Sequence, residues 1–314
     1  MPTARSPISA LVPIKNGATH LENLRLQLEA TLSAFDEILI IDDGSSDATW
    51  KLLNSWARED QRIRLFQNDQ VGLANALNLG LKNAQYEWVA RYDVDDQYQT
   101  NRIEKQLNFV DTNTVAVFSD YNFVTPTGKP LGYIPTGVLP SAVSVSLIAS
   151  QRTPHPVALI QKEAALSVGG YQQSDFPAED LSLWLRMSRV GELKSVPEAL
   201  LNYVINPNGV SATRRNHQLE TKDRLLKEIG IRSVDLDLAI NDFEEIIRSY
   251  RRESYSGIRS LLLSREIRMA ISESQERKVI KRSELRVKIN LRDVKQITEF
   301  SLRTTKRKLI RWKN

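Results

Sequence analysis

The first half of the chain alternates short apolar runs with amphipathic stretches. Predicted strands cover residues 8–14, 37–41, 63–67, 87–92 and 115–121. Predicted helices cover residues 23–35, 48–58, 73–83 and 102–110, with Asp47 as the N-cap of the second helix. This alternation is typical of an α/β fold in which helices cover a mainly parallel central sheet. Ligands of such sheets bind beyond the carboxyl ends of the strands.

The second half has a different pattern. Residues 123–140 are rich in Pro, Gly and Thr, which predicts loops and an extra hairpin. Helical spacing returns in residues 159–168, 179–190 and 216–250, and 251–314 is predicted as a helical basic extension. We therefore divide the chain into a domain of residues 1–215, with halves 1–122 and 123–215, and a helical extension of residues 216–314.

The composition narrows the chemistry. The chain is 41% hydrophobic and 26% charged, as is usual for globular proteins. It has no cysteine, which excludes disulfides, cysteine–zinc sites and a cysteine nucleophile. With only three histidines, any metal is expected to bind oxygen ligands, which suits Mg²⁺ or Mn²⁺.

Charge and hydropathy also bear on location. Residues 1–9 lack the apolar stretch of a signal peptide, and no apolar run approaches the roughly 20 residues of a membrane span, so we expect a cytoplasmic protein. Residues 251–314 carry 19 Lys and Arg against 7 Asp and Glu, a net charge of +12, whereas the rest of the chain carries −7. This asymmetry indicates an anionic partner for the extension.

Two acidic clusters follow predicted strands. Asp42 and Asp43 can accept hydrogen bonds from a nucleobase or a ribose; the alternatives are a turn with a helix cap, or a phosphate-receiving signalling site. Asp93, Asp95 and Asp96 repel one another, and a divalent cation bridging a diphosphate would offset that repulsion; the alternative is a solvated acidic loop. The apolar lead-in of residues 88–90 and the acidic cluster upstream favour the cation. Arg91 is placed either to contact a phosphate or to form a local ion pair.

A third acidic site opens the helix predicted from residue 179. Glu179 and Asp180 precede an apolar helical run, where the helix dipole alone favours acidic residues. The functional alternative makes one of them a general base that deprotonates a hydroxyl.

These segments match a known family in order and spacing. They are LVPIKN (11–16), IIDDGSSD (40–47), GLANALNLGL (72–81), ARYDVDD (90–96), HP (155–156), GGY (169–171) and EDLSLWL (179–185). Over about residues 6–215 the chain resembles the inverting glycosyltransferase family 2, of the GT-A fold and the bacterial surface-polysaccharide type.

The resemblance implies roles on the donor side. Pro13 lines the base pocket beside Lys15, while Asp43 reads the base and Asp42 supports its loop. Asp93 contacts the ribose, with Arg91 nearby. Asp95 carries Mn²⁺ or Mg²⁺ with Asp96 close by, which makes residues 1–122 the nucleotide-sugar half.

The resemblance also implies a catalytic centre in the acceptor half, residues 123–215. Asp180 is the catalytic base, and Glu179, His155 and Trp184 lie on the acceptor or sugar side. The chain departs from the family pattern in four places. Lys15 stands where an aromatic residue is frequent, Leu77 where Arg is frequent, and Val204 and Asn206 where Arg and His are frequent.

The expected function is metal-dependent, inverting transfer of a sugar from a nucleoside-diphosphate sugar, expected to be UDP-linked. The acceptor is a hydroxyl of a glycan or of a polyprenyl-diphosphate-linked glycan. One rival is a sugar nucleotidyltransferase, which needs a Gly-rich, basic phosphate loop that residues 11–17 lack. The other is a degenerate transferase-like protein that binds nucleotide or acts as a scaffold.

The basic extension suggests a further partner. Residues 284–313 place apolar side chains at roughly helical spacing among Lys and Arg, which suits an anionic membrane surface. We expect peripheral attachment to the inner face of the cytoplasmic membrane. The alternatives are a helix packed on the body and a dimerisation helix that forms a homodimer. No nucleic-acid module is recognisable, so a nucleic-acid partner is not expected.

Overall fold

A nine-stranded β-sheet forms the centre of the computed structural model, which describes residues 5–134, 136, 153–206 and 213–228. The strands are β1 (Ser9–Ile14), β2 (Glu37–Asp42), β3 (Ile63–Gln67), β4 (Trp88–Arg91), β5 (Gln97–Tyr98), β6 (Thr114–Val124), β7 (Pro130–Ile134), β8 (Leu159–Gln161) and β9 (Glu192–Val204). They run across the sheet in the order β3-β2-β1-β4-β8-β6-β9-β5, and β7 pairs with β6.

Seven α-helices accompany the sheet within those residues. They are α1 (Leu21–Thr31), α2 (Thr49–Glu59), α3 (Leu73–Asn83), α4 (Arg102–Leu107), α5 (Lys162–Ser167), α6 (Glu179–Met187) and α7 (Arg215–Glu228). The N-cap of α2 is Ala48 and not the predicted Asp47, which lies one residue earlier. The carboxylate of Asp47 nevertheless accepts from the N–H of Thr49, the first residue of α2, at 2.9 Å. No helix in the described ranges is long and apolar enough to cross a membrane.

Parallel pairing of β1 with β2 and β4, and of β2 with β3, brings the acidic clusters to one edge. Ile14 at the end of β1 lies opposite Asp42 at the end of β2, and Leu11 lies opposite Arg91 at the end of β4. The predicted α/β class and the mainly parallel strands of the first half are confirmed. The remaining pairs are antiparallel, except that of β6 with β9. Strand β8 pairs with β4 and β6, β7 pairs with β6, and β5 pairs with β9.

Both faces of the sheet are buried. Leu11 and Leu39 point to the face covered by α3 and α6, and Val12 and Ile40 point to the face covered by α1 and α2. A strand that is covered on both sides reads as a continuous apolar run, and this is why β1 and β2 could be predicted from sequence.

The predicted helix of residues 159–168 is wrong at its start. Leu159–Gln161 forms β8, paired antiparallel with both β4 and β6, and helix α5 begins only at Lys162. A short apolar run between two strands has the same pattern as a buried helix turn, so periodicity alone does not separate them. The extra hairpin predicted within 123–140 is confirmed by the pairing of β6 with β7.

Strand β9 was not predicted, although it is the longest strand described. Its register against β6 shifts between Ser119 and Asp120, which pair with Val196 and Ala199. The shift skips Pro197 and Glu198, and Pro197 has no N–H to donate to the ladder. This bulge interrupts the alternation that would have revealed the strand.

The helical prediction for residues 216–250 is confirmed as far as Glu228, where α7 ends. The remainder, including the basic segment 284–313, lies outside the described residues. The division of the chain at residue 215 stays a prediction.

Candidate active site

Asp43 is held in place by the turn that opens α3. Its Oδ1 accepts from the N–H of Gly72 at 2.7 Å and from Nδ2 of Asn68 at 2.6 Å. Gly72 has a φ of 142°, which residues with a side chain rarely adopt, and the side-chain amide of Gln173 lies 2.6 Å from the position of a Cβ there, so a substitution would be strained and would displace Gln173. Both bonds use Oδ1, which leaves Oδ2 to accept from a ligand.

The loop after β2 is fixed by Asn16. The hydroxyl of Ser45 accepts from the N–H of Asn16 at 2.9 Å and donates to Oδ1 of Asp42. In return, Oδ1 of Asn16 accepts from the N–H of Ser46 at 2.8 Å. Asn16 has a φ of 51°, a conformation that Asn tolerates better than most residues. Asp42 therefore supports the loop that presents Asp43.

Pro13 and Lys15 lie at the end of β1 beside this loop. Pro13 is buried and lies opposite Ile41 of β2, whereas Lys15 is exposed. Lys15 is thus available to an anionic ligand at the strand edge, while Pro13 contributes a rigid backbone.

Arg91 forms the local ion pair rather than pointing outward. It is 2% exposed, and its Nη2 donates to Oδ1 of Asp93 at 2.7 Å. Nη1 donates to the carbonyl of Tyr92, and the N–H of Asp93 donates to the hydroxyl of Tyr98 at 2.7 Å. These bonds leave Asp93 at the surface of the site and fix its orientation from the buried side.

Asp95 and Asp96 point in different directions. Asp96 is 2% exposed and its Oδ1 accepts from the N–H of Val204 at 2.9 Å, which anchors the loop to β9. Asp95 is half-buried, and its Oδ2 accepts from Nδ2 of Asn206 at 3.3 Å. Burial, together with the charge of Asp93, raises the pKa of Asp95.

The donor set suits a hard divalent cation. The described residues contain no cluster of three or more His, Cys, Asp and Glu arranged to bind a metal. Asp95 and Asp93 nevertheless supply two carboxylates whose repulsion a cation relieves, and the amide nitrogen of Asn206 orients the first of them. Two carboxylates are enough for Mg²⁺ or Mn²⁺ when substrate phosphates complete the octahedron.

Glu179 and Asp180 form the start of α6. Oδ1 of Asp180 accepts from the N–H of Leu181 at 2.7 Å, and burial raises the pKa of Asp180 to about 6. Glu179 is 4% exposed, and its Oε2 has no hydrogen-bond partner among the described residues. Burial and the neighbouring charge of Asp180 raise the pKa of Glu179 to about 8.

His155 and Trp184 lie beneath the acidic pair. Nε2 of His155 is 2.8 Å from the hydroxyl of Tyr171, and burial, with the charge of Arg91, lowers the pKa of His155 well below its usual range. Trp184 is fully buried and packs edge-on against Phe118. Both side chains therefore support the floor of the site rather than a surface that an acceptor can touch.

Sequence reasoning missed two residues that support the candidate site, Asn68 beside Asp43 and Asn78 beside Tyr171. The amide of Asn78 on α3 donates to the carbonyl of Tyr171 at 2.7 Å and accepts from its N–H at 2.8 Å. Asn78 lies against Gly170, whose φ is 63°. The matched segments 72–81 and 169–171 contained this pair, but their contact is visible only in the fold.

Comparisons with known proteins relate the chain to glycosyltransferases. A family model described as glycosyl transferase family 2 matches residues 9–143. The UDP-Glc:alpha-D-GlcNAc-diphosphoundecaprenol beta-1,3-glucosyltransferase WfaP of Escherichia coli is 30% identical over 63% of this chain and 76% of that protein. An uncharacterised glycosyltransferase of Rickettsia conorii is 28% identical over 68% of this chain. The match spans only 36% of the length of the Rickettsia relative.

A solved structure shares the fold. The mannosyltransferase PcManGT from Pyrobaculum calidifontis, in complex with GDP-Man and Mn²⁺, matches with a TM-score of 0.59 and 17% identity. The match covers 88% of this chain and 84% of PcManGT. It confirms the predicted GT-A fold.

Proposed function

This chain belongs to glycosyl transferase family 2, and from that membership we propose that it moves a sugar from a UDP-sugar to a hydroxyl of a lipid-linked glycan during polysaccharide synthesis. The transfer inverts the anomeric centre and depends on Mn²⁺ or Mg²⁺.

One observation carries this proposal: two acidic segments far apart in sequence lie close enough in the fold for the charges of one to affect the other. Burial is the main cause of the raised pKa values of Glu179 and Asp180. The charge of Asp93 raises both pKa values further, and the charge of Arg91 lowers both. A carboxylate of the donor side, Asp93, and a potential base therefore lie within reach of one substrate.

The donor binds along the carboxyl ends of β1, β2 and β4. Oδ2 of Asp43 accepts from the N–H of the base, which lies against the backbone of Pro13, and Asp93 accepts from a ribose hydroxyl. Lys15 lies at this edge as the exposed cation beside the diphosphate. Because Arg91 is paired with Asp93, it orients that carboxylate rather than contacting phosphate.

Asp95 would hold the divalent ion, with Asn206 beside it, and Asp96 fixes the loop of residues 93–96 to β9. When bound, the ion neutralises negative charge on the departing nucleoside diphosphate. The chain contributes a site edge with two carboxylates and an anchored loop, so that little reorganisation is needed when the donor arrives.

Asp180 acts as the base. Its free carboxylate oxygen takes the proton of the acceptor hydroxyl while the acceptor oxygen bonds to the anomeric carbon. The bond from that carbon to the diphosphate oxygen breaks on the opposite face, and its electron pair leaves with the nucleoside diphosphate. Oδ1 of Asp180 keeps its bond to the N–H of Leu181, which orients the carboxylate throughout. Glu179 lies beside the sugars.

The acceptor proposal rests on a relative and on sequence. The name of WfaP specifies a diphosphoundecaprenol-linked sugar as its acceptor. A lipid-linked acceptor is reached at a membrane surface, and the basic residues 284–313 suit attachment to its anionic inner face. A homodimer formed through this extension is the alternative use of the same segment.

Calorimetric titration of the protein with UDP, GDP and dTDP, each with and without Mn²⁺, tests the donor site. We expect UDP to bind most tightly and to require Mn²⁺, because a bound cation would offset the repulsion between the carboxylate of Asp95 and the diphosphate. Preferential binding of GDP or dTDP would replace the UDP assignment. Lack of binding by all three nucleotides in the presence of Mn²⁺ would favour the degenerate-scaffold alternative.

The rate is expected to depend on pH through Asp180. The base must be ionised, and burial raises its pKa to about 6. We therefore expect kcat/KM to rise about tenfold per pH unit below about 6 and to level off above it, because kcat/KM reports the free enzyme. A profile already flat at about pH 5, in protein shown to stay folded there by circular dichroism, would contradict this assignment.

A further inference from the structure

Asp175 connects the start of α6 to α7, the last helix in the described part of the chain. It is 6% exposed, and its carboxylate oxygens accept from two directions, Oδ2 from the hydroxyl of Ser182 and Oδ1 from Nη2 of Arg224 at 2.7 Å. Its backbone carbonyl accepts from the N–H of Ala178 at 2.7 Å, directly before Glu179. Burial opposes ionisation, but the bonds from Arg224 and Ser182 outweigh it and lower the pKa of Asp175.

Helix α7 and Arg214, the residue directly before it, contact residues 174–177 at three further points. They are Arg224 Nη2 to the carbonyl of Ser174 at 3.3 Å, Gln218 Nε2 to the carbonyl of Pro177 at 3.1 Å, and the guanidinium of Arg214 over the ring of Phe176 at 5.5 Å. The apolar side of α7 is seated as well, since Leu225 is buried in the same core cluster as Leu181 and Leu183.

The loop of residues 173–178 also faces the donor side. Gln173 lies against Gly72, whose N–H holds Asp43. The segment 173–178 therefore contacts the turn that orients the base-reading carboxylate at one end and leads into the acidic pair at the other.

We propose that Arg224 and Asp175 are positioning residues through which α7 sets the orientation of Asp180. This inference rests on the proposed function, since it assigns Asp180 the role of base. Arg224 contacts Asp175, Asp175 contacts Ser182 on the first turn of α6, and that turn carries Asp180. A displacement of about 1 Å at a reacting group can lower a rate about 100-fold.

The test compares Arg224→Ala with a matched control, Arg25→Ala. Both arginines are partly exposed, and each pairs with an acidic residue four positions on and with one on another segment. Arg25 binds Glu29 and Glu59, remote from the acidic edge. We expect Arg224→Ala to lower kcat about 10- to 100-fold, with the KM and Kd for the donor within about twofold of wild type.

Two further variants sharpen the result. Arg224→Lys keeps a cation for Asp175 and is expected to recover part of kcat. Gln218→Ala removes only the bond to the carbonyl of Pro177 and is expected to lower kcat less than Arg224→Ala, again without changing donor affinity. It also provides the test if Arg224→Ala does not fold.

The outcomes separate this inference from the proposed function. If Arg224→Ala and Gln218→Ala keep the kcat of Arg25→Ala, or lose donor binding in proportion to kcat, the positioning role is refuted. If Asp180→Asn transfers sugar at the wild-type rate, the proposed base is refuted whatever Arg224→Ala does. Loss of transfer in Asp180→Asn together with an unchanged Arg224→Ala rejects only the role of α7.

Discussion

Replacement of Asp180 by Asn is expected to reduce sugar transfer about 10²- to 10⁴-fold, the contribution typical of a positioned general base. Asn matches Asp in size, and its carbonyl oxygen can still accept from the N–H of Leu181, as Oδ1 of Asp180 does at 2.7 Å. What disappears is the oxygen that takes the proton. The measurement is the steady-state release of nucleoside diphosphate and of glycosylated acceptor.

Donor binding separates loss of the base from loss of the site. Asp180→Asn should bind nucleotide with Mn²⁺ as the wild type does, because Asp180 makes no contact with Asp43 or Asp95 among the described hydrogen bonds. The exposed Asp223→Asn serves as the matched control and should transfer normally. Wild-type transfer by Asp180→Asn would remove the assignment of the base.

The neighbouring Glu179 gives this variant a second signature. Burial chiefly, and then the charge of Asp180, raises the pKa of Glu179 to about 8. With Asn at position 180 the second cause is absent, so the pKa of Glu179 falls and its carboxylate ionises at lower pH. Any residual transfer that follows this new ionisation is attributable to Glu179, since its Oε2 is unpaired in the described structure.

Much of the donor half could be predicted from sequence because its strands are covered on both faces. Strands β1 and β2 are continuous apolar runs that end in acidic residues, and parallel pairing places both ends at one edge. The strands of the acceptor half could not be predicted in the same way. Strand β8 is too short for its period to be read, and β9 carries Pro197 within a bulge.

Composition and spacing did not predict the direction in which each side chain of the site points. Asp95 and Asp96 are adjacent and chemically equal in sequence, yet one reaches Asn206 and the other turns to the backbone of Val204. Asn78 and Arg224 act through contacts with residues distant in sequence, Tyr171 and Asp175. Such contacts depend on how the helices dock, which local pattern does not encode.

Replacement of Asp95 by Ala is expected to lower the Mn²⁺-dependent affinity for the donor nucleotide at least about 10- to 100-fold. That is the loss typical when only an outer partner of a metal ligand is removed. Asp95 supplies the carboxylate that faces Asn206 and Asp93 at the open edge of the site, so its loss leaves Asp93 as the remaining carboxylate there. Calorimetric titration with nucleotide, with and without Mn²⁺, measures the effect, and transfer should fall with it.

Asp96→Asn is the matched control, since it alters the adjacent acid without removing the anchor. An Asn oxygen can still accept from the N–H of Val204, which Asp96 binds at 2.9 Å, so the loop should keep its position and the donor its Mn²⁺-dependent affinity. If Asp96→Asn lost that affinity while Asp95→Ala kept it, the metal would belong to Asp96. If both variants bound normally, the metal carboxylate would have to be sought at Asp93, whose Oδ1 already accepts from Arg91 and whose Oδ2 would then be the ligand.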